Sequence, residues 1–100
     1  GNCKIVTGTY VGDGKYGKDN PTSITFPGKP LLVYIGNGYS MLGLNPMSVL
    51  PVFSAGGNNY YNCKAKWEGN TLTWYTDTTS LEIALSVANR TYHYIALLES

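Results

Sequence analysis

Residues 22–36, TSITFPGKPLLVYIG, limit the fold more than any other stretch of the chain. Two β-rich runs, residues 23–26 and 31–35, flank Pro27-Gly28-Lys29-Pro30, whose prolines cannot donate to a central ladder. The spacing predicts a tight corner between two strands. Leu31, Leu32, Val33 and Ile35 make a nearly continuous apolar run, which suits a strand covered on both faces, and Asn37-Gly38 closes it with a strong turn dipeptide.

Other strands are expected around this corner. Residues 5–11 alternate Ile5, Thr7 and Thr9 against Val6, Gly8 and Tyr10 and read as a strand. Residues 12–21 carry Gly, Asp, Asn and Pro at the density of a loop, long for a simple hairpin and placed where binding residues tend to sit. Residues 36–46 read as a second loop, whose Met41, Leu42 and Leu44 are expected to tuck under the domain or into a subunit interface. Residues 48–54 read as a strand with Pro51 at an edge or bulge, and residues 56–59 as a turn.

Residues 60–67 set Tyr61, Cys63, Ala65 and Trp67 against Tyr60, Asn62, Lys64 and Lys66, the alternation of an antiparallel strand with one solvated side. Glu68-Gly69-Asn70 turns it into residues 71–76, with Leu72 and Trp74 toward the core. Residues 81–87 allow a short helix, but Leu81, Ile83, Leu85 and Val87 have period two and a strand is preferred. Residues 91–98 form a last strand, apolar or aromatic on both faces, that needs cover on both sides. With no helical pattern of useful length and no internal repeat, the expectation is one all-β domain over residues 1–100, an antiparallel β-sandwich of about six to seven short strands.

Composition narrows the function classes. Charged residues are only 13% of the chain, about half the usual share, so Tyr, Asn, Thr and Ser must supply most of its surface. A net charge of +1 from scattered basic residues offers no stripe for phosphates, which argues against nucleic acid. No signal or transit peptide and no run of about 18 apolar residues is found, so no membrane insertion is expected. Cys3 and Cys63 are read as two packed or free thiols rather than a bridge, since neither belongs to a C-x-x-C pair.

Motifs with catalytic or cofactor associations fail on context. Gly12, Gly14 and Gly17 spell G-x-G-x-x-G, but Pro21 and a strand follow where a dinucleotide site needs a helix N-terminus. Asp13, Asp19 and Asn20 lack the spacing of a calcium loop and read as an Asx-rich turn. Residues 38–43 miss a nucleophile elbow by one position. His93, the single histidine, shares a strand face with Ile95 and Leu97 and is read as a packed structural residue. No metal spacing exists, nothing in the sequence pairs two carboxylates, and neither catalysis nor a cofactor is expected. What remains is Tyr, Trp, Asn and Asp in the loops, residues that bond sugar hydroxyls and stack on sugar C–H faces. A Tyr-rich solvated sandwich without a ligand accounts for them equally well.

Residues 8–14 (GTYVGDG), 20–26 (NPTSITF), the PLLVYI strand, residues 67–75 (WEGNTLTWY) and residues 91–96 (TYHYIA) together cover most of the chain. This pattern resembles the distal domains of phage and prophage tail or fibre proteins of Gram-positive bacteria and, more distantly, the H-type lectins. The lectin resemblance implies a trimeric antiparallel β-sandwich that binds N-acetylgalactosamine-like sugars between subunits. Its Gly-x-Asp sugar loop corresponds to Gly17-Lys18-Asp19, and its arginine before the tryptophan turn is replaced by Lys64 or Lys66. Its aromatic and histidine pair falls near Asp77 and Thr78.

The resemblance implies a non-enzymatic receptor-binding module at a tail fibre tip, located on the virion or otherwise at a cell surface or outside cells, and part of a longer fibre protein. The expected partners are two further copies of the chain and a cell-surface glycan or wall polysaccharide, with Tyr16, Gly17, Asp19, Lys66, Tyr75 and Asp77 as ligand-binding residues. The alternative is a structural trimeric cap or virion decoration module with no ligand of its own.

Overall fold

The computed structural model describes residues 2–100 and is all-β apart from one helical turn. Its strands are β1 (Cys3–Val11), β2 (Thr22–Thr25), β3 (Pro30–Asn37), β4 (Tyr39–Leu44), β5 (Val49–Phe53), β6 (Tyr60–Glu68), β7 (Thr71–Tyr75) and β8 (Thr91–Glu99), with α1 (Leu81–Ala84) before the last. All eight belong to one antiparallel sheet in the order β1-β8-β3-β4-β5-β6-β7-β2, so the count exceeds the six or seven expected.

The Pro27–Pro30 corner explains why this sheet must curl. It connects β2, at one edge, to β3, five neighbour spacings away. Five spacings measure about 24 Å on a flat sheet, whereas the five residues from Thr25 to Pro30 reach at most about 18 Å. The sheet therefore bends back on itself, and its concave face holds the core. Val33, Ile35, Met41, Leu50, Val52, Cys63, Leu72, Trp74, Tyr92, Ala96 and Leu98 all point inward and are buried. Burying each aliphatic side chain of this set stabilises the fold by roughly 1.5–3 kcal/mol.

Four expectations are corrected. Residues 39–44 are not loop but strand β4, paired with β3 through the Asn37-Gly38 turn. Met41 does tuck into the core, whereas Leu42 and Leu44 face outward. Residues 81–87 contain no strand. Ser80 caps a helical turn by accepting from the Ile83 N–H at 3.2 Å, and Leu85 ends it in the left-handed region at φ 55°. Period two was coincidental there, because a helix of four residues is too short to display its own period. The apolar runs of β3 and β8 are covered on one face only, leaving Leu32, Tyr34 and Ile95 exposed outside. His93 shares that outer face and is exposed rather than packed.

The helical turn is fastened from three directions. Trp74 Nε1 donates to the Ala84 carbonyl at 3.0 Å, and the Tyr10 hydroxyl donates to the Leu85 carbonyl at 2.8 Å. The Val87 N–H donates to the Tyr92 hydroxyl at 3.1 Å. Two carbonyls at the helix C-terminus, which a helix leaves without internal partners, are thus satisfied by core aromatics.

Candidate functional site

The long β1–β2 loop is rigid at its base. Gly12 N donates to Arg90 O and Gly14 N to Ser86 O, both at 2.8 Å, while Ser86 Oγ donates to Lys15 O at 2.6 Å. A Cβ on Gly12 would come within 2.1 Å of the Val87 carbonyl oxygen. Two of the G-x-G-x-x-G glycines therefore serve close backbone docking. Asp13 Oδ1 accepts from the Lys15 N–H at 2.9 Å, the Asx turn read from sequence.

The loop tip is a small structure of its own. Asn20 N donates to Gly17 O at 3.0 Å and Asn20 Nδ2 to Tyr16 O at 3.2 Å, with Gly17 at φ 86°. This turn presents Tyr16, Lys18 and Asp19 to solvent around a hollow of about 480 Å³.

A groove of about 610 Å³ runs over the outer face of β5, β6 and β7, lined by Val49, Lys64, Lys66, Thr73 and Tyr75 and reached by Lys18 and Pro21. Lys18 lines the hollow as well, so the two depressions meet at that residue. Cross-strand pairing sets the groove: Lys64 lies between Val49 and Tyr75, and Lys66 opposite Thr73. Asp77 reaches back to Lys64 at 2.9 Å, and Glu68 to Lys66 at 2.8 Å. Each carboxylate, by hydrogen bond and by charge, raises the pKa of the lysine it holds.

Tyr16, Gly17 and Asp19 thus line the hollow, Lys66 and Tyr75 line the groove, and Asp77 adjoins the groove through Lys64. Lys66 is tied to Glu68, a pairing not read from sequence. Lys18 was missed as the shared wall; its place within Gly17-Lys18-Asp19 was the available signal. This surface can bond hydroxyls through lysine and carboxylate groups and stack a ring on Tyr75. Among the described residues no group of three or more His, Cys, Asp or Glu side chains is placed to hold a metal.

A second and larger groove, about 670 Å³, lies on the other half of the outer face between β1, β8, β3 and β4, and includes none of the residues selected from sequence. His93 and Tyr34 line it. Its parts come from strands distant in the chain, so only the register brings them together. No protein-family model matches the chain, and no curated protein or solved structure matches it either.

Proposed function

We propose that the chain is a non-enzymatic receptor-binding module of a phage or prophage tail fibre tip, recognising a cell-surface saccharide. The observation that carries this reading is the meeting of the loop hollow and the β5–β7 groove at Lys18. Five of the six residues chosen for sugar chemistry line one or other depression, Asp77 joins them through its ion pair with Lys64, and the set mixes an aromatic ring with paired charges. Such a mixture suits a ligand with many hydroxyls and apolar C–H faces.

The module works as a homotrimer on the virion. Ile5, Leu97, Leu32 and Leu44 are cross-strand neighbours on the outer face, and all but the half-buried Leu97 are exposed. A contiguous apolar row of this kind marks an association surface. Three linked sites raise a weak single-site affinity through effective concentration.

Asp19→Ala tests the site. Asp19 is exposed at the loop tip, so its loss should abolish saccharide binding at the Lys18 junction and leave thermal stability unchanged. Undiminished binding by that variant removes the Lys18 junction from the account. A structural trimeric cap is the second reading, favoured by the same apolar row, and it requires a trimer that binds no saccharide at all.

A further inference from the structure

Three rows of cross-strand neighbours run over the outer face of β1, β8, β3 and β4, and their chemistry changes from one row to the next. Ile5, Leu97, Leu32 and Leu44 form the apolar row. The next is mixed, with Thr7, Ile95, Tyr34 and Leu42, and the third is polar, with Thr9, His93, Gly36 and Ser40. The larger groove opens along the second and third rows.

Gly36 creates that opening. It stands between His93 on β8 and Ser40 on β4, so the third row lacks a side chain at its middle. A Cβ there would lie 3.2 Å from the Ser40 Cβ, and anything longer would project into the groove. The volume of about 670 Å³ falls in the range of small-molecule sites, roughly 300–1,000 Å³.

The lining contains no Lys, Arg, Asp or Glu. The nearest charged groups, Arg90 and Glu82 beside Gly38, neutralise each other at 2.7 Å, so nothing there favours a phosphate, carboxylate or amine over a neutral ligand. The groove instead supplies hydroxyls from Thr7, Thr9 and Ser40, the His93 imidazole and the exposed Tyr34 ring. Asn37 uses its Nδ2 on the Thr91 carbonyl at 2.8 Å, which leaves its side-chain oxygen as an acceptor. Neutral donors and acceptors surrounding one aromatic face match a pyranose, whose hydroxyls need both and whose C–H face stacks on a ring.

We propose that this groove is a second saccharide site, taking a neutral pyranose stacked on Tyr34 with its hydroxyls bonded to His93, Thr9 and Ser40. It rests on the saccharide-binding reading above and adds a site that shares no lining residue with the Lys18 junction.

The test is titration of the ¹⁵N-labelled chain with the methyl glycosides of glucose, galactose, N-acetylglucosamine and N-acetylgalactosamine, following backbone amide shifts. Saturable shifts are expected at Gly36, Asn37, His93 and Ile95. Tyr34→Ala and His93→Ala, both at exposed positions, should each weaken that binding at least about tenfold. Shifts confined to Lys18, Lys66 and Tyr75 overturn the groove and leave the junction standing. Shifts in the groove alone support the groove and overturn the junction, and shifts at neither overturn both. Groove shifts that persist unchanged in the two alanine variants also overturn the proposal, because they remove the stacking and hydrogen-bonding roles.

Discussion

The Tyr10 hydroxyl donates to the Leu85 carbonyl at 2.8 Å, tying edge strand β1 to the end of the helical turn seventy-five residues later. The ring stacks on Tyr92 at 5.1 Å and meets Trp74 edge-on at 5.8 Å. Leu85 is itself fully buried in a left-handed conformation that a leucine adopts reluctantly. Tyr10→Phe keeps the ring packing and leaves the Leu85 carbonyl without its donor. The expected loss is about 1–3 kcal/mol, measured by urea denaturation, with the near-ultraviolet circular dichroism of the native state preserved.

Gly43 on β4 is held small by its neighbours. A Cβ there would stand 3.2 Å from both the Trp67 ring and Leu50 Cδ1. Gly43→Ala should therefore cost about 1–3 kcal/mol as overpacking. A thermal midpoint equal to that of the natural chain would mean that Trp67 swings aside freely.

Alkaline pH should unfold the protein through its core. Burial pushes the Cys63 thiol from an ordinary 9.0 up to about 12. Burial also raises Tyr10, with the neighbouring Tyr92 adding to the shift. Both groups hold their protons more tightly folded than unfolded, so their contribution is fully present below the unfolded values, 9.0 for Cys63 and 10.0 for Tyr10, and declines as pH rises above them, that of Cys63 being lost by about 12. The urea midpoint should fall steeply over that window, and Cys63→Ala should flatten the fall. At neutral pH a thiol reagent should modify exposed Cys3 in the native protein and reach buried Cys63 only on unfolding.

Leu44 is 53% exposed within the apolar outer row, although nothing about its strand requires a large apolar side chain there. Leu44→Lys should convert a species of three times 10.9 kDa into a monomer with its thermal unfolding still cooperative, as read by light scattering after gel filtration. A natural chain that is monomeric at all accessible concentrations would contradict the trimer.

Period-two alternation made much of the sheet legible. Cys63, Ala65 and Trp67 alternate with Asn62, Lys64 and Lys66, and β6 lies in the phase that this implies. Strand β4 escaped because Ser40 and Gly43 interrupt its apolar pattern, for reasons that lie in the groove and in Trp67 rather than in local preference. The turn at Leu81 escaped because its stability comes from Trp74 and Tyr10, which the local sequence does not contain. Among the site residues, Tyr16 through Asp19 were readable as a loop, while the adjacency of Lys18 to Lys66 and Tyr75 arises from the pairing of β2 with β7, Thr22 opposite Trp74. The Gly36 groove was invisible for a related reason. Thr9, Gly36 and Ser40 reach it only through pairing with His93 and with each other across three ladders.

Saccharide recognition can be read from an array of glycans and Gram-positive wall polysaccharides, probed with protein whose oligomeric mass has first been fixed. The account predicts selective, saturable binding by a trimer, reduced in Asp19→Ala to what the Gly36 groove alone retains. A well-folded trimer that leaves every glycan unbound would contradict it and make the chain a structural cap.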